Sequence, residues 1–453
     1  MNKKTLKSLF KAYDIRGLSP KELNPKVAYS IARAFADFLP KGQIAVGYDM
    51  RKDSQKLAVA FIAGLVKQGR EVIDLGLITS DMIYYAIGHY KLAGGAMITA
   101  SHNLAGYDGI KLTGKNVVPI GIDSGLLKIE DRVEHHHFKK LHKQGYDSGQ
   151  IAKKDITKEW VEHALEIVGL GSARLSIATD TGNGMASIVL PCLEELTNLQ
   201  IESLYTELDG SFPNHPANPL EEANNKALCK LVVKNHLDCG LAFDGDGDRA
   251  FVVDDQGNLL SASVLGAIIA RDMLEREPGQ TILYSATDSD IVPATIESFG
   301  GHSVRTRVGH SFVKADMKKH HAVFGIEHSG HFYYAQNYRA DSGLITALTI
   351  LKIIAQSGRP LSEIAAPFVS MYANSGELNF EVSEPKDALK ILQRHFNNAE
   401  IDDLEGLTVR YRNWWFNARA SNTEPYLRVN IEADDADILK TQQKEITKLL
   451  KEK

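Results

Sequence analysis

Three times along the chain a short apolar run passes through a polar or glycine-containing turn into an amphipathic helical pattern and then into another apolar run. This is the alternation expected of βαβ units. The first runs through QIAVGYD at 43–49, a helical stretch near 55–68 and EVIDLG at 71–76. The second runs through LSIATDTGNG at 175–184, a helix around 185–196 and a strand near 201–205. The third runs through TILYSATDSD at 281–290, a helix to Phe299 and HSVRTRVG at 302–309. With its connections each unit takes up about a hundred residues, so the pattern predicts three related α/β mixed-sheet domains in series. After about residue 367 the rhythm changes to GELNFEVSE, a helical run near 387–396, the strand-like TVRYRN, WWFNARA and YLRVNIEA, and a Lys-rich last helix. These elements predict a fourth, smaller α+β domain. The expected divisions are 1–150, 151–255, 256–366 and 367–453.

Three apolar runs end in unusually polar loops: GGAMITASHN at 94–103, CGLAFDGDGDR at 239–249 and HAVFGIEHSGH at 321–331. Open α/β sheets place ligands beyond the carboxyl ends of their strands, so these loops are where chemistry is expected. In DGDGDR, Asp244, Asp246 and Asp248 alternate with glycine. On a straight strand their side chains would sit nearly 7 Å apart, at a rise of about 3.3 Å per residue. Magnesium takes oxygen ligands at about 2.0–2.1 Å, so the backbone has to curl, which Gly245 and Gly247 permit. An EF-hand is excluded, because its sixth and twelfth positions would hold Arg249 and Asp255 instead of glycine and glutamate. An acidic surface turn is the alternative, disfavoured because clustered carboxylates repel unless a cation joins them.

In TASHN at 99–103, Ser101 stands beside His102 and Asn103, with Lys111 ten residues on. A Ser-His pair alone is more often a turn than a nucleophile. GIEHSGH offers Glu327, Ser329 and His331, a set suited to vicinal sugar hydroxyls, with an ordinary polar loop as the alternative. RASNTEPYLR at 419–428 surrounds Ser421, Asn422 and Thr423 with Arg419 and Arg428. Guanidinium forks and small donors match a phosphate, although a capped surface turn is also compatible. FKAYDIRG at 10–17 adds Tyr13 and Arg16.

Composition narrows the possibilities. The chain is 43% hydrophobic and 24% charged, and 52 Lys plus Arg balance 57 Asp plus Glu, leaving no basic field for nucleic acid. No run of about twenty apolar residues occurs, so neither export nor a membrane span is expected. Cys192, Cys229 and Cys239 lack metal-site spacing and read as idle thiols in a reducing cytoplasm. His135, His136 and His137 lie in a charged helical stretch and are given no role.

Taken in chain order, with their spacing and over nearly the whole chain, the five segments resemble the α-D-phosphohexomutase family. The resemblance implies three related α/β domains and a smaller fourth, arranged around a central cleft. It implies that Ser101 is a phosphoserine, that Asp244, Asp246 and Asp248 hold Mg²⁺ together with its phosphate, and that Glu327 and Ser329 grip sugar hydroxyls. Arg419, Ser421, Asn422 and Thr423 would hold the phosphate that is not reacting. Arg16, Lys111, Arg249, His310 and His331 would surround the reacting end, with Tyr13, His102 and Arg428 nearby. Which of Lys111, Arg16 and His331 handles the proton stays open. YDIRG, SNTEP and NYRADSG at 337–343 look like the phosphomannomutase/phosphoglucomutase type, while phosphoglucosamine mutases show a GTDGIRG-like start and SGTEP. One departure stands out: Leu104 occupies the place after Asn103 where the family has proline.

The implied activity interconverts hexose 1-phosphate and hexose 6-phosphate of mannose, glucose or both, through a hexose 1,6-bisphosphate that also acts as activator. Expected partners are hexose phosphates alone, and the protein a cytoplasmic monomer or homodimer. Phosphoglucosamine mutase, a metal-dependent phosphatase and a lapsed sugar-phosphate-binding homologue are the rival readings. Reorientation of a bisphosphate needs a cleft that opens, and the fourth domain, on a single linker near 360–370, is the expected moving part.

Overall fold

The structure is a computed structural model describing residues 3–139, 150–382, 384–420 and 426–451. The chain forms two compact units, Met1–Leu260 with Ser329–Ser362, and Ser261–His328 with Glu363–Lys453.

The first unit holds two mixed sheets. One runs Ile15–Leu18, Tyr107–Gly114, Gly94–Ile98, Ile44–Tyr48, Val72–Leu77, Ile151–Lys153, antiparallel at its first two pairings and parallel thereafter. Its helices are set by local signals. Asn24 caps Pro25–Phe38, its side chain accepting from the amides of Lys26 and Val27 at 3.1 and 3.3 Å, with proline at the first turn. Helical spacing then puts Val27, Ile31 and Phe35 on one face, buried in a core with Phe61 and Leu65 of Ser54–Lys67. Every residue of Gly94–Ile98 is buried, as befits a strand covered on both faces, and its carboxyl end delivers residues 99–103.

The other sheet runs Ala250–Val253, Cys239–Phe243, Ser176–Asp180, Gln200–Leu204, with only the first pairing antiparallel. The wholly buried strand Cys239–Phe243 carries the aspartate loop at its end. Over this unit lies the apolar helix Gly343–Ser357, capped by Ser342, whose Oγ accepts from the Ile345 amide at 3.1 Å. Together with the antiparallel pair Phe332–Tyr334 and Ala340–Asp341, it is the share of the third sequence segment that packs here, so the compact units do not follow the four segments one for one.

In the second unit, His302–Thr306, Thr281–Ser285 and Phe324–Ile326 are parallel. Ala373–Glu381, Tyr426–Ala433, Trp414–Ala420, Leu407–Arg410 and Glu400–Asp402 form an antiparallel sheet over a core of Leu392, Phe416, Val429 and Ile446. The expected class, α/β segments followed by a smaller α+β sheet, is the class found. Arg410 forks onto Asp290 at 2.8 and 2.9 Å, and Arg305 pairs with Asp402, tying the antiparallel sheet to the parallel one inside this unit.

Candidate active site

Ser101 follows the buried strand Gly94–Ile98 in a left-handed conformation, φ 51°, at a cost on the order of 1–3 kcal/mol for a residue with a Cβ. Its amide donates to Thr99 Oγ1 at 2.9 Å, and its Oγ donates to Asp244 Oδ2 at 3.0 Å and lies 3.3 Å from His102 Nδ1. A Cβ on Gly245 would stand 2.6 Å from the Ser101 carbonyl oxygen, so glycine there is what lets the serine and aspartate loops touch. Gly247 takes φ 75° and completes the curl expected from the DGDGDR spacing.

Asp244, Asp246 and Asp248 are all buried, and each offers an oxygen within 4.8 Å of the others. Lys111 Nζ reaches Asp246 Oδ2 at 2.7 Å and Asp248 Oδ2 at 2.6 Å, while Arg249 Nε reaches Asp244 Oδ2 at 2.9 Å. Burial alone would raise the Asp246 carboxyl, but Lys111 overrides it and holds Asp246 below the usual carboxylate range. At Asp244 burial wins over Arg249 and pushes the carboxyl up to about 7. Burial would lower the Lys111 ammonium, yet Asp246 and Asp248 keep it well above its ordinary value. Asp246 Oδ1, Asp248 Oδ1 and Arg249 Nη2 are buried with no hydrogen-bond partner. Orphaned anionic oxygens beside an orphaned cationic donor fit a site for a divalent cation and a phosphate together.

Arg16 Nε donates to Asp14 Oδ2 at 2.7 Å, and its Nη1 to Asn103 Oδ1, bringing the first strand onto the serine loop. Burial would lower this guanidinium, but Asp14 leads the carboxylates that raise it. Tyr13, just before the same strand, is half-buried. His102 is held well below its ordinary value by burial, then by Arg249 and Arg16. His331 Nδ1 lies 2.9 Å from Ser329 Oγ, its Nε2 3.7 Å from Asp248 Oδ1, and Ser329 carbonyl oxygen accepts from Arg249 Nη1 at 3.2 Å.

Other expected residues lie in the second unit. Glu327 is buried and Oε1 accepts from the Gly309 amide at 2.6 Å, which fixes the turn that starts the helix at His310. Arg419 donates to Glu377 Oε2 at 2.5 Å and to Asn430 Oδ1 at 2.9 Å, and Arg428 pairs with Glu377 at 3.5 Å. Ser421, Asn422 and Thr423 fall outside the described residues.

Sequence reasoning passed over Ser80, Asp81 and Arg51. Ser80 opens the helix Ser80–His89, its amide donating to Asp246 carbonyl oxygen at 2.9 Å and its Oγ to Asp246 Oδ2 at 2.5 Å. Asp81, raised to about 7 by burial, accepts from Ser342 Oγ at 2.6 Å and from Thr79 Oγ1. The signal available was position: ITSD ends a strand just as TASHN does.

The site and fold together define a phosphoryl-transfer enzyme of the α/β type built from four consecutive segments. Four domain families match: phosphoglucomutase/phosphomannomutase α/β/α domains I, II and III over residues 7–140, 158–257 and 262–372, and the C-terminal domain over 377–449. The chain is 36% identical to phosphohexose mutases of Xanthomonas campestris pv. campestris over 98% of its own length and 99% of theirs. It is 32% identical to a phosphomannomutase of Escherichia coli, again over 98% and 99%. A solved phosphoglucomutase/phosphomannomutase family protein from Burkholderia thailandensis superposes with a TM-score of 0.87 at 28% identity, covering 98% of this chain and 97% of that one. The chain belongs to the phosphoglucomutase/phosphomannomutase family and is a mutase. No described helix is long and apolar enough to cross a membrane.

Proposed function

We propose that the protein interconverts the 1- and 6-phosphates of mannose and glucose through a phosphoryl group carried on Ser101. The observation that carries this reading is the 3.0 Å contact between Ser101 Oγ and Asp244 inside a buried carboxylate cluster flanked by Lys111 and Arg249.

Asp244, Asp246 and Asp248, with the phosphate on Ser101, would hold Mg²⁺, which supplies positive charge against the transferring phosphoryl. In the forward step the Ser101 O–P bond breaks as a new P–O bond forms to the free hydroxyl of a hexose 1-phosphate. A 1,6-bisphosphate results. After that intermediate turns end over end, its other phosphate returns to the serine and the 6-phosphate leaves. Such transfer rests on positioning and on stabilising charge. Arg249 offers its unpaired Nη2 toward developing negative charge, and Arg16 steadies the loop through Asn103. Neighbouring carboxylates shift Lys111 and Arg16 toward their protonated forms, which disfavours both as acceptor of the hydroxyl proton. His331 remains of the three residues considered, with Ser329 on its Nδ1. Glu327 and Ser329 would read O3 and O4, leaving C2, where glucose and mannose differ, unread. Arg419 and Arg428, with Ser421, Asn422 and Thr423, would hold the distal phosphate.

The test is direct. Purified protein, Mg²⁺ and a trace of hexose 1,6-bisphosphate are incubated with mannose, glucose and glucosamine 1-phosphates in turn, and the 6-phosphates are measured. Turnover of mannose and glucose is expected, with a loss of several orders of magnitude in Ser101→Ala. A fully active Ser101→Ala variant removes the phosphoserine. Inorganic phosphate released in step with substrate loss makes the protein a phosphatase.

A further inference from the structure

The serine loop runs through residues 99–107 with Leu104 exposed at its tip and no proline to restrain it. What restrains it lies fifty positions earlier in the chain. Arg51 is 5% exposed, and all its hydrogen bonds from the guanidinium end on this one loop. Its Nη2 donates to Ser101 carbonyl oxygen at 2.6 Å and to Asn103 carbonyl oxygen at 2.5 Å. Its Nη1 donates to the carbonyl oxygens of Leu104 and Tyr107, each at 3.1 Å.

We propose that Arg51 is a positioning residue for phosphoryl transfer: its planar fork gathers four carbonyl oxygens of the serine loop and so fixes where Ser101 Oγ points. The inference rests on the reading of Ser101 as the phosphoryl carrier.

The surroundings of Arg51 suit that task. Asp49 Oδ2 stands 3.3 Å from Nε, and Asp49 Oδ1 accepts from the Arg51 amide at 3.0 Å and from Ser54 Oγ at 2.5 Å. Ser54 Oγ in turn reaches Asp108 Oδ2 at 3.0 Å, on the strand that leaves the loop. On its Nε side the guanidinium is therefore backed by an ion pair to Asp49, with no hydrogen bond at that atom. The ring of Phe212 covers it at 5.1 Å, shutting out the water that would compete for the four carbonyls. Only a planar group with donors on both terminal nitrogens can serve this many acceptors at once. The point charge of a lysine cannot reproduce it, however well it replaces the charge. The loop needs such an anchor because Ser101 sits in a left-handed conformation that a free chain would leave.

Arg51→Lys and Arg51→Ala are compared with wild type for kcat, KM and Tm, alongside Ser101→Ala. Arg51→Lys is expected to lose about a hundredfold in kcat, the scale of a small misplacement of a reacting group, with KM changed less than about threefold. Tm should fall by only a few degrees. Added guanidinium ion should restore part of the Arg51→Ala activity, which a purely structural role would not allow. The inference is overturned if Arg51→Lys keeps kcat within about threefold of wild type, or if its loss simply follows unfolding and guanidinium restores nothing. Should Arg51→Ala fail to fold, the Arg51→Lys split between kcat and KM decides alone. An active Ser101→Ala sinks the phosphoserine reading itself. An inactive Ser101→Ala beside a fully active Arg51→Lys sinks only the role of Arg51.

Discussion

Ser101 Oγ and Asp244 Oδ2 meet at 3.0 Å although 143 positions separate them in the chain, and the contact is made by an unmodified hydroxyl donating to a carboxylate. A phosphoryl group on that oxygen brings nearly two negative charges against three buried aspartates. On the reading of Ser101 as the phosphoryl carrier, that modification would reverse the sign of the contact.

The phosphorylated protein should accordingly have a lower Tm than the unphosphorylated one when divalent cations are chelated. Mg²⁺ should raise the Tm of the phosphorylated form by more than it raises the other. Scanning calorimetry of the two forms, with EDTA and with Mg²⁺, measures both differences. If phosphorylation raises Tm in EDTA, the modified oxygen is not facing the carboxylates.

Lys111 gives a second test, because among the described residues it is the ammonium shared by Asp246 and Asp248, at 2.7 and 2.6 Å. Lys111→Met leaves two buried carboxylates facing each other without it. Removing one side of a buried ion pair costs about 3–5 kcal/mol. Mg²⁺ can replace the missing charge, so the loss should be larger in EDTA than in Mg²⁺. Urea unfolding under both conditions reads this out, and equal losses would mean that the cation does not bind at these carboxylates.

How much of this was legible in the sequence depends on how local each signal is. The curl of residues 244–248 was readable, because alternating glycines and aspartates admit few conformations that keep the carboxylates useful. The strand ends were readable from apolar runs stopping at polar loops. Arg51 was not: its YDMR context holds nothing unusual, and its partners are backbone carbonyls, which leave no mark on residue identity. Ser80 was hidden for a similar reason, since a serine starting a helix already has an ordinary explanation as a cap. The packing of Gly343–Ser357 into the first unit was also invisible, because an apolar helix states that it is buried and not against what.

The second unit offers a pH test away from the aspartate cluster. Asp288 is buried, and burial pushes its carboxyl up to about 7, although Ser285 Oγ and amide, each at 2.7 Å, and Ser263 Oγ at 3.0 Å pull it the other way. A carboxyl raised on folding binds its proton more tightly in the native state. Between its unfolded value near 4 and about 7, this group then lowers stability as pH rises, by at most about 1.4 kcal/mol per pH unit. Asp288→Asn removes that slope. Relative to wild type, the variant should gain stability from pH 5 to pH 7.5 in urea titrations. A constant difference across that range would show that Asp288 ionises normally.

The antiparallel sheet was expected to move by itself on a single linker, and its ties within the second unit oppose that. Besides Arg410 on Asp290 and Arg305 on Asp402, Glu432 is buried in the sheet and accepts from the Asp290 amide at 2.8 Å, Trp415 Nε1 at 3.0 Å and Asn374 Nδ2 at 3.2 Å. One carboxylate thus collects donors from two strands of the antiparallel sheet and from the residue that opens the helix Ile291–Ser298. Glu432→Ala leaves the Asp290 amide and the Trp415 indole without an acceptor, at about 1–3 kcal/mol for each group. Glu432→Gln keeps Oε1 for both and should be mild. Hydrogen exchange should therefore quicken in Ala373–Glu381 and at the start of Ile291–Ser298 in the alanine variant, with little change in the glutamine one. If opening of the antiparallel sheet is an independent motion, the alanine variant will exchange at the wild-type rate in both segments, and the ties described here carry no mechanical weight.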